Sequence, residues 1–78
     1  MAQTRPIHEI AEEVYADWGT KLSPYAKDYL DAMTTLDRIT DTFYCDSGKS
    51  VVSYFLANAS GWRGETARRI KKELNALL

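Results

Sequence analysis

Residues 46–78 read DSGKSVVSYFLANASGWRGETARRIKKELNALL, and this stretch decides the fold class. Val51, Val52, Phe55, Leu56 and Ala59 recur at i, i+1, i+4, i+5 and i+8. That spacing puts all five on one face of a helix. Asp46 or Ser47 can cap its start, because a short side-chain oxygen accepts from an orphan N–H of the first turn. Gly61 is the expected helix end, since a positive φ costs glycine little. Ser60 is a candidate cap for the helix that follows. There Ala67, Ile70, Leu74 and Leu77 repeat at helical spacing, with Arg68, Lys72 and Asn75 opposite. Glu65 with Arg69, and Arg69 with Glu73, are spaced as i, i+4 ion pairs worth about 0.2–0.5 kcal/mol each. Ser50, Ser53, Ala57 and Ser60 make a stripe of small residues, which suits either close backbone approach or a solvated face.

Working backwards, two more helices are expected. Ile7, Ile10, Ala11, Val14 and Trp18 share one face, and Glu9, Glu12, Glu13 and Asp17 the other. Pro6 suits the first turn of this helix and Gly19 its end. Ser23-Pro24 then reads as a cap followed by a first-turn proline. Ala26, Tyr29, Leu30, Met33 and Leu36 form the next stripe, and Tyr25, Ala32, Ile39 and Phe43 widen it. So broad a face predicts two neighbours and a central place for that helix. No sustained alternation of period two occurs, so no strand is expected. The prediction is an all-α bundle of four short helices near 6–18, 24–42, 48–59 and 63–77, one domain over 1–78 with 1–5 frayed.

A chain of 78 residues with 45% hydrophobic content can fold, but as a small domain it buries a modest core. No run approaches the roughly 18 apolar residues of a membrane span. The start, MAQTRPIHEIAEE, has no apolar core of a secretory signal, and the single cysteine, Cys45, cannot form an internal disulfide. Both fit a cytoplasmic setting. Charge is unevenly spread: residues 1–60 carry five Lys/Arg and nine Asp/Glu (net −4), residues 61–78 five Lys/Arg and two Glu (net +3). The basic end suits an acidic partner or nucleic acid, or equally the acidic first helix of this chain.

Motifs for chemistry are sparse. Gly48-Lys49-Ser50 matches the end of a phosphate-binding loop, but Phe43 stands where the first glycine is required, and the preceding stretch reads as helix rather than strand. ATP and GTP are not expected to bind. His8 is the only histidine and sits one turn from Glu12; it and Cys45 do not make a metal-ligand spacing. Asp28, Asp31, Asp37 and Asp41 read as a solvated side. Asn58-Ala59-Ser60 matches a glycosylation sequon inside a helix of a cytoplasmic chain, so it carries no weight. An enzyme, a cofactor and a metal site are therefore not expected.

Two binding readings remain. Tyr54, Trp62, Arg63 and Arg69 gather around the glycine turn and make a candidate protein interface, because tyrosine, tryptophan and arginine dominate binding hot spots. Gly61 and Gly64 leave Trp62 little local cover, so the ring either projects outward or folds over Phe55 and Ile70. The alternative is a helix-turn-helix-like DNA-binding module over 48–77, with Arg63, Arg68, Arg69 and Lys72 as nucleic-acid contacts. Ala67 and Trp62 fit that motif poorly, and Glu65 would face phosphates. A self-associating structural protein is the third reading.

Within residues 46–78, the run DSGKSVVSYFLANASGWRGETARRIKKEL resembles one found in short uncharacterised proteins of bacterial genomes and mobile elements. The similarity is strongest in YFLANAS (54–60) and WRGETARRIK (62–71) and weaker before Leu36. No catalytic or binding motif accompanies that group, so no functional residue carries over. The resemblance implies a bacterial cytosolic accessory protein. By analogy of size and setting, it points to an inhibitor or regulator encoded by a mobile element, of the kind that anti-CRISPR proteins exemplify.

Overall fold

The architecture follows from where each helix can start and stop. In a computed structural model, which describes residues 5–43 and 46–78, α1 spans Ile7–Trp18, α2 Pro24–Met33, α3 Gly48–Ala57 and α4 Glu65–Leu77. A single 3-10 turn, Gly19–Lys21, joins α1 to α2. The chain is a compact domain of four helices. The expected core position of Phe43, the edge position of Tyr44, and Cys45 lie outside what the structure describes, as do residues 1–4.

Helix α1 has no side-chain cap. Its first donors instead meet backbone: Ile7 N–H donates to Asp37 O (2.9 Å) and His8 N–H to Leu36 O (2.8 Å). A remote turn therefore closes the helix start that sequence left open. Gly19 ends the helix at φ 56°, its N–H reaching Tyr15 O. Ser23 caps α2 by accepting from Tyr25 N–H (3.3 Å), with Pro24 in the first turn.

Helix α2 stops at Met33, nine residues before the expected Thr42. The cause is local. Thr34 Oγ1 donates to Asp31 O (2.5 Å) and Thr35 Oγ1 to Ala32 O (2.7 Å), so the hydroxyls tighten the last turn. Leu36 N–H then bonds Met33 O in a tight turn, and the Asp41 carboxylate accepts from Asp37 N–H and Arg38 N–H at 3.0 Å each. Those two bonds hold the Asp41 carboxyl below the usual carboxylate range.

A two-residue antiparallel pair follows, β1 (Thr42–Phe43) with β2 (Asp46–Ser47), in place of the helix end expected there. It delivers Ser47 as cap of α3, accepting from Ser50 N–H at 3.1 Å. Gly48 is required next. A Cβ there would lie 2.8 Å from Ile39 O and 3.1 Å from Arg38 O and Asp41 O, all backbone atoms. The glycine of the Gly-Lys-Ser sequence thus serves close packing against carbonyl oxygens.

Helix α3 ends at Ala57, not at Gly61. Asn58 closes it: its backbone N–H (3.2 Å) and its Nδ2 (2.9 Å) both donate to Tyr54 O. Ser60 caps nothing: α4 begins two residues after the expected position, behind Gly64 at φ 112° and ψ 179°, a conformation essentially reserved for glycine.

The principal packing runs α1 on α2, α2 on α3, α3 on α4 and α4 back on α1. Helix α2 has two neighbours as its broad face predicts, but so do the others, and it is not uniquely central. Inward go Ile7, Ile10, Ala11, Val14 and Trp18 from α1, with Ala26, Leu30, Ala32 and Met33 from α2. Val51, Val52 and Phe55 from α3 and Ala67, Ile70 and Leu74 from α4 complete the core, with Leu36, Ala59 and Trp62 from the connections. Tyr29, Ile39, Leu56 and Leu77 are only half-buried.

Candidate binding surfaces

The turn patch expected from Tyr54, Trp62, Arg63 and Arg69 does not form, because Trp62 points inward. Its side chain is 2% exposed. The indole stacks on Trp18 (centroids 5.7 Å, planes 11° apart) and meets Phe55 edge-on at 6.4 Å. Its Nε1 donates to Asp17 Oδ2 (2.8 Å), which satisfies the one polar atom of the ring. The glycines beside Trp62 do leave it without local cover, but α1 supplies the cover from 44 residues away in sequence, through Trp18.

Arg69 is also withdrawn from that patch. It pairs with Glu13 of α1, and Arg5 bridges Glu13 (2.9 Å) and Glu73 (2.7 Å). The i, i+4 pairs of Arg69 with Glu65 and Glu73 are absent among the described residues, since both Arg69 and Glu73 find partners across the helix interface. Arg69, then Arg5, holds the Glu13 carboxyl below its usual range. Glu73, then Glu13, raises the already high pKa of Arg5. One edge of the basic last helix thus lies against the acidic first helix. His8 pairs with Asp37 (Nε2 to Oδ1, 3.0 Å) rather than Glu12.

What does reach the surface is tyrosine. Tyr25 is 75% exposed and Tyr54 is 54% exposed. Tyr29, half-buried between them, stacks on Tyr54 with centroids 5.3 Å apart and planes at 22°. Tyr25 and Tyr29 stand one turn apart on α2, so the three rings form an aromatic strip across α2 and α3. Tyr25, expected to widen the core stripe, is outside it because Ala26, Leu30 and Met33 already fill the inward face. On the opposite flank of α2, toward α1, Lys27 Nζ donates to Asp31 Oδ2 (2.9 Å), and Tyr15 Oη donates to the other oxygen of Asp31.

The nucleic-acid candidates divide. Arg63, Arg68 and Lys72 are exposed and carry no ion pair among the described residues, whereas Arg69 is engaged by Glu13. Seven residues, 58–64, separate α3 from α4. A DNA-binding helix-turn-helix uses a turn of about three to four residues, so this pair departs from that motif. Lys71, which is not among those four candidates, lies against the turn: its Nζ donates to Trp62 O at 2.6 Å.

Among the described residues no cluster of His, Cys, Asp and Glu could hold a metal ion, and no helix is long and apolar enough to cross a membrane. Comparison with protein-family models, curated proteins and solved structures found no match.

Proposed function

We propose that the chain is a non-enzymatic binding domain that captures another protein on the tyrosine strip of α2 and α3. The observation that carries this reading is the pair of exposed tyrosines, Tyr25 and Tyr54, with half-buried Tyr29 stacked on Tyr54. Tyrosine brings large apolar area and a hydroxyl to a contact while losing little rotamer freedom. Exposed Asp28, three residues from Tyr25 on α2, supplies a polar rim of the sort that surrounds such contacts. The bacterial, mobile-element setting implied by the resemblance within residues 46–78 suggests a host protein in the cytoplasm as partner. The chain then acts as an inhibitor or regulator by occupying that partner's surface.

A photo-crosslinking residue at position 25, expressed in a bacterial host, tests this. One dominant crosslinked protein is expected, and Tyr54→Ala is expected to remove it while costing stability only about 1 kcal/mol, the scale of one aromatic pair. Crosslinks that persist unchanged in Tyr54→Ala would contradict the reading. Crosslinks only to further copies of this chain would replace it with self-association.

A further inference from the structure

A second surface shares no residue with the tyrosine strip. The α3–α4 connection and the first two turns of α4 border a shallow cleft of about 280 Å³, lined by Trp62, Arg63, Gly64, Ala67, Arg68 and Lys71. Three of these six are cations and none is acidic, although exposed Glu65 stands one turn from Arg68. The contrast with the other edge of α4 is informative. There Arg69 has Glu13 and Glu73 has Arg5. Here Arg63, Arg68 and Lys71 have no carboxylate partner among the described residues.

One of the cations, Lys71, is held in place. Lys71 Nζ is held by Trp62 O at 2.6 Å and lies 5.9 Å from the centroid of the buried indole. Burial first, and the neighbouring charge of Arg63 second, lower the Lys71 pKa. Both disfavour the charged form, and an anion seated between the two cations would offset the repulsion from Arg63. Gly64 lines the cleft with backbone alone, and a Cβ there would meet nothing within 4 Å. Lys72 is exposed one turn beyond Arg68, about 6 Å further along the axis, so the positive charge continues past the cleft.

We propose that this cleft binds a phosphate group of a nucleic-acid backbone, with Arg63, Arg68 and Lys71 on its oxygens and Lys72 on a neighbouring phosphate. An acidic peptide would meet the same charges. It would find no large apolar side chain to bury, because the exposed large hydrophobics among the described residues are Tyr25, Tyr54 and Leu78, none of which lines the cleft. Contacts made by arginine and lysine to phosphate position a strand without reading its bases. The binding is therefore independent of sequence and weakens steeply with salt.

The test is a titration of the full isotope-labelled chain, followed by backbone amide shifts, with a 12-nucleotide single-stranded DNA, inorganic phosphate and a glutamate-rich peptide as probes. The DNA is expected to move the amides of Gly64, Arg68 and Lys71. Inorganic phosphate should move the same amides at much higher concentration. Arg63→Ala with Arg68→Ala should weaken DNA binding about tenfold or more at low salt and reduce the salt slope by up to about 0.7, the value for one phosphate of a single strand. Lys49→Ala, an exposed cation elsewhere, should change neither. If the double variant loses its fold, Arg68→Gln with Lys72→Gln provides the same comparison at two exposed positions. Unchanged affinity and slope in the folded variant would overturn the proposal. So would a glutamate-rich peptide that binds as tightly as the DNA.

Discussion

Trp62→Ala is expected to destabilise the fold by about 3–5 kcal/mol, the range for removing a buried aromatic. The ring is 2% exposed and sits between Trp18 and Phe55, so its loss opens a cavity bounded by two rigid rings that cannot close it. Asp17 also loses the donor it holds at 2.8 Å. A domain of 78 residues has roughly 4–12 kcal/mol of stability at about 0.05–0.15 kcal/mol per residue. The variant should therefore be partly unfolded at room temperature, or melt far below the parent. A urea melt followed by helical circular dichroism measures this. A midpoint unchanged from the parent would mean that Trp62 lies outside the core.

Phe55→Ala should have an effect of the same size, about 3–5 kcal/mol. Phe55 is fully buried and meets both indoles edge-on, Trp18 at 6.3 Å and Trp62 at 6.4 Å. Because the three rings share one cavity, the losses should not add. A double variant of Phe55 and Trp62 should cost measurably less, or more, than the two single costs combined. The contrast lies one residue away. Tyr54 is 54% exposed, and its truncation removes only the stack on Tyr29. If Phe55→Ala and Tyr54→Ala melted alike, α3 could not be turning Phe55 to the core and Tyr54 to solvent.

The faces of α1 and α4 were readable because each combines one apolar stripe with a charged opposite side. Ile7, Ile10, Ala11, Val14 and Trp18 are all buried, as are Ala67, Ile70 and Leu74. The Ser23-Pro24 start of α2 and the Ser47 start of α3 were equally local, each a side chain next to the helix it caps. The end of α2 misled because Leu36 and Ile39 continue the helical spacing after the backbone has turned at Thr34 and Thr35. Periodicity records which residues face inward, and a turn can face them inward too.

The candidate sites were less legible, for the same reason at longer range. Trp62 lacks cover from its sequence neighbours, and its burial depends on Asp17 and Trp18. Arg69 has two local carboxylates at helical spacing but pairs with Glu13 on another helix. Tyr25 looked like core because its spacing fits the stripe, while smaller neighbours fill that face completely. Arg68 and Lys72 are exposed, as their place opposite the apolar stripe of α4 implies, and Tyr54 and Arg63 are exposed too. Tyr25 and Tyr29 as surface companions of Tyr54, and Lys71 as the cation on the Trp62 carbonyl, needed the packed structure.

Both tryptophans face inward, and Tyr25 and Tyr54 are left exposed. The chain has two tryptophans, Trp18 and Trp62, stacked on each other, so selectively excited tryptophan emission reports on this pair. The most direct measurement is acrylamide quenching of that emission in the native protein and in denaturant. The structure predicts a blue-shifted native spectrum with weak quenching, rising several-fold on unfolding. Native emission at the wavelength of solvated indole, quenched as readily as in denaturant, would place Trp62 at the surface and contradict that inward packing.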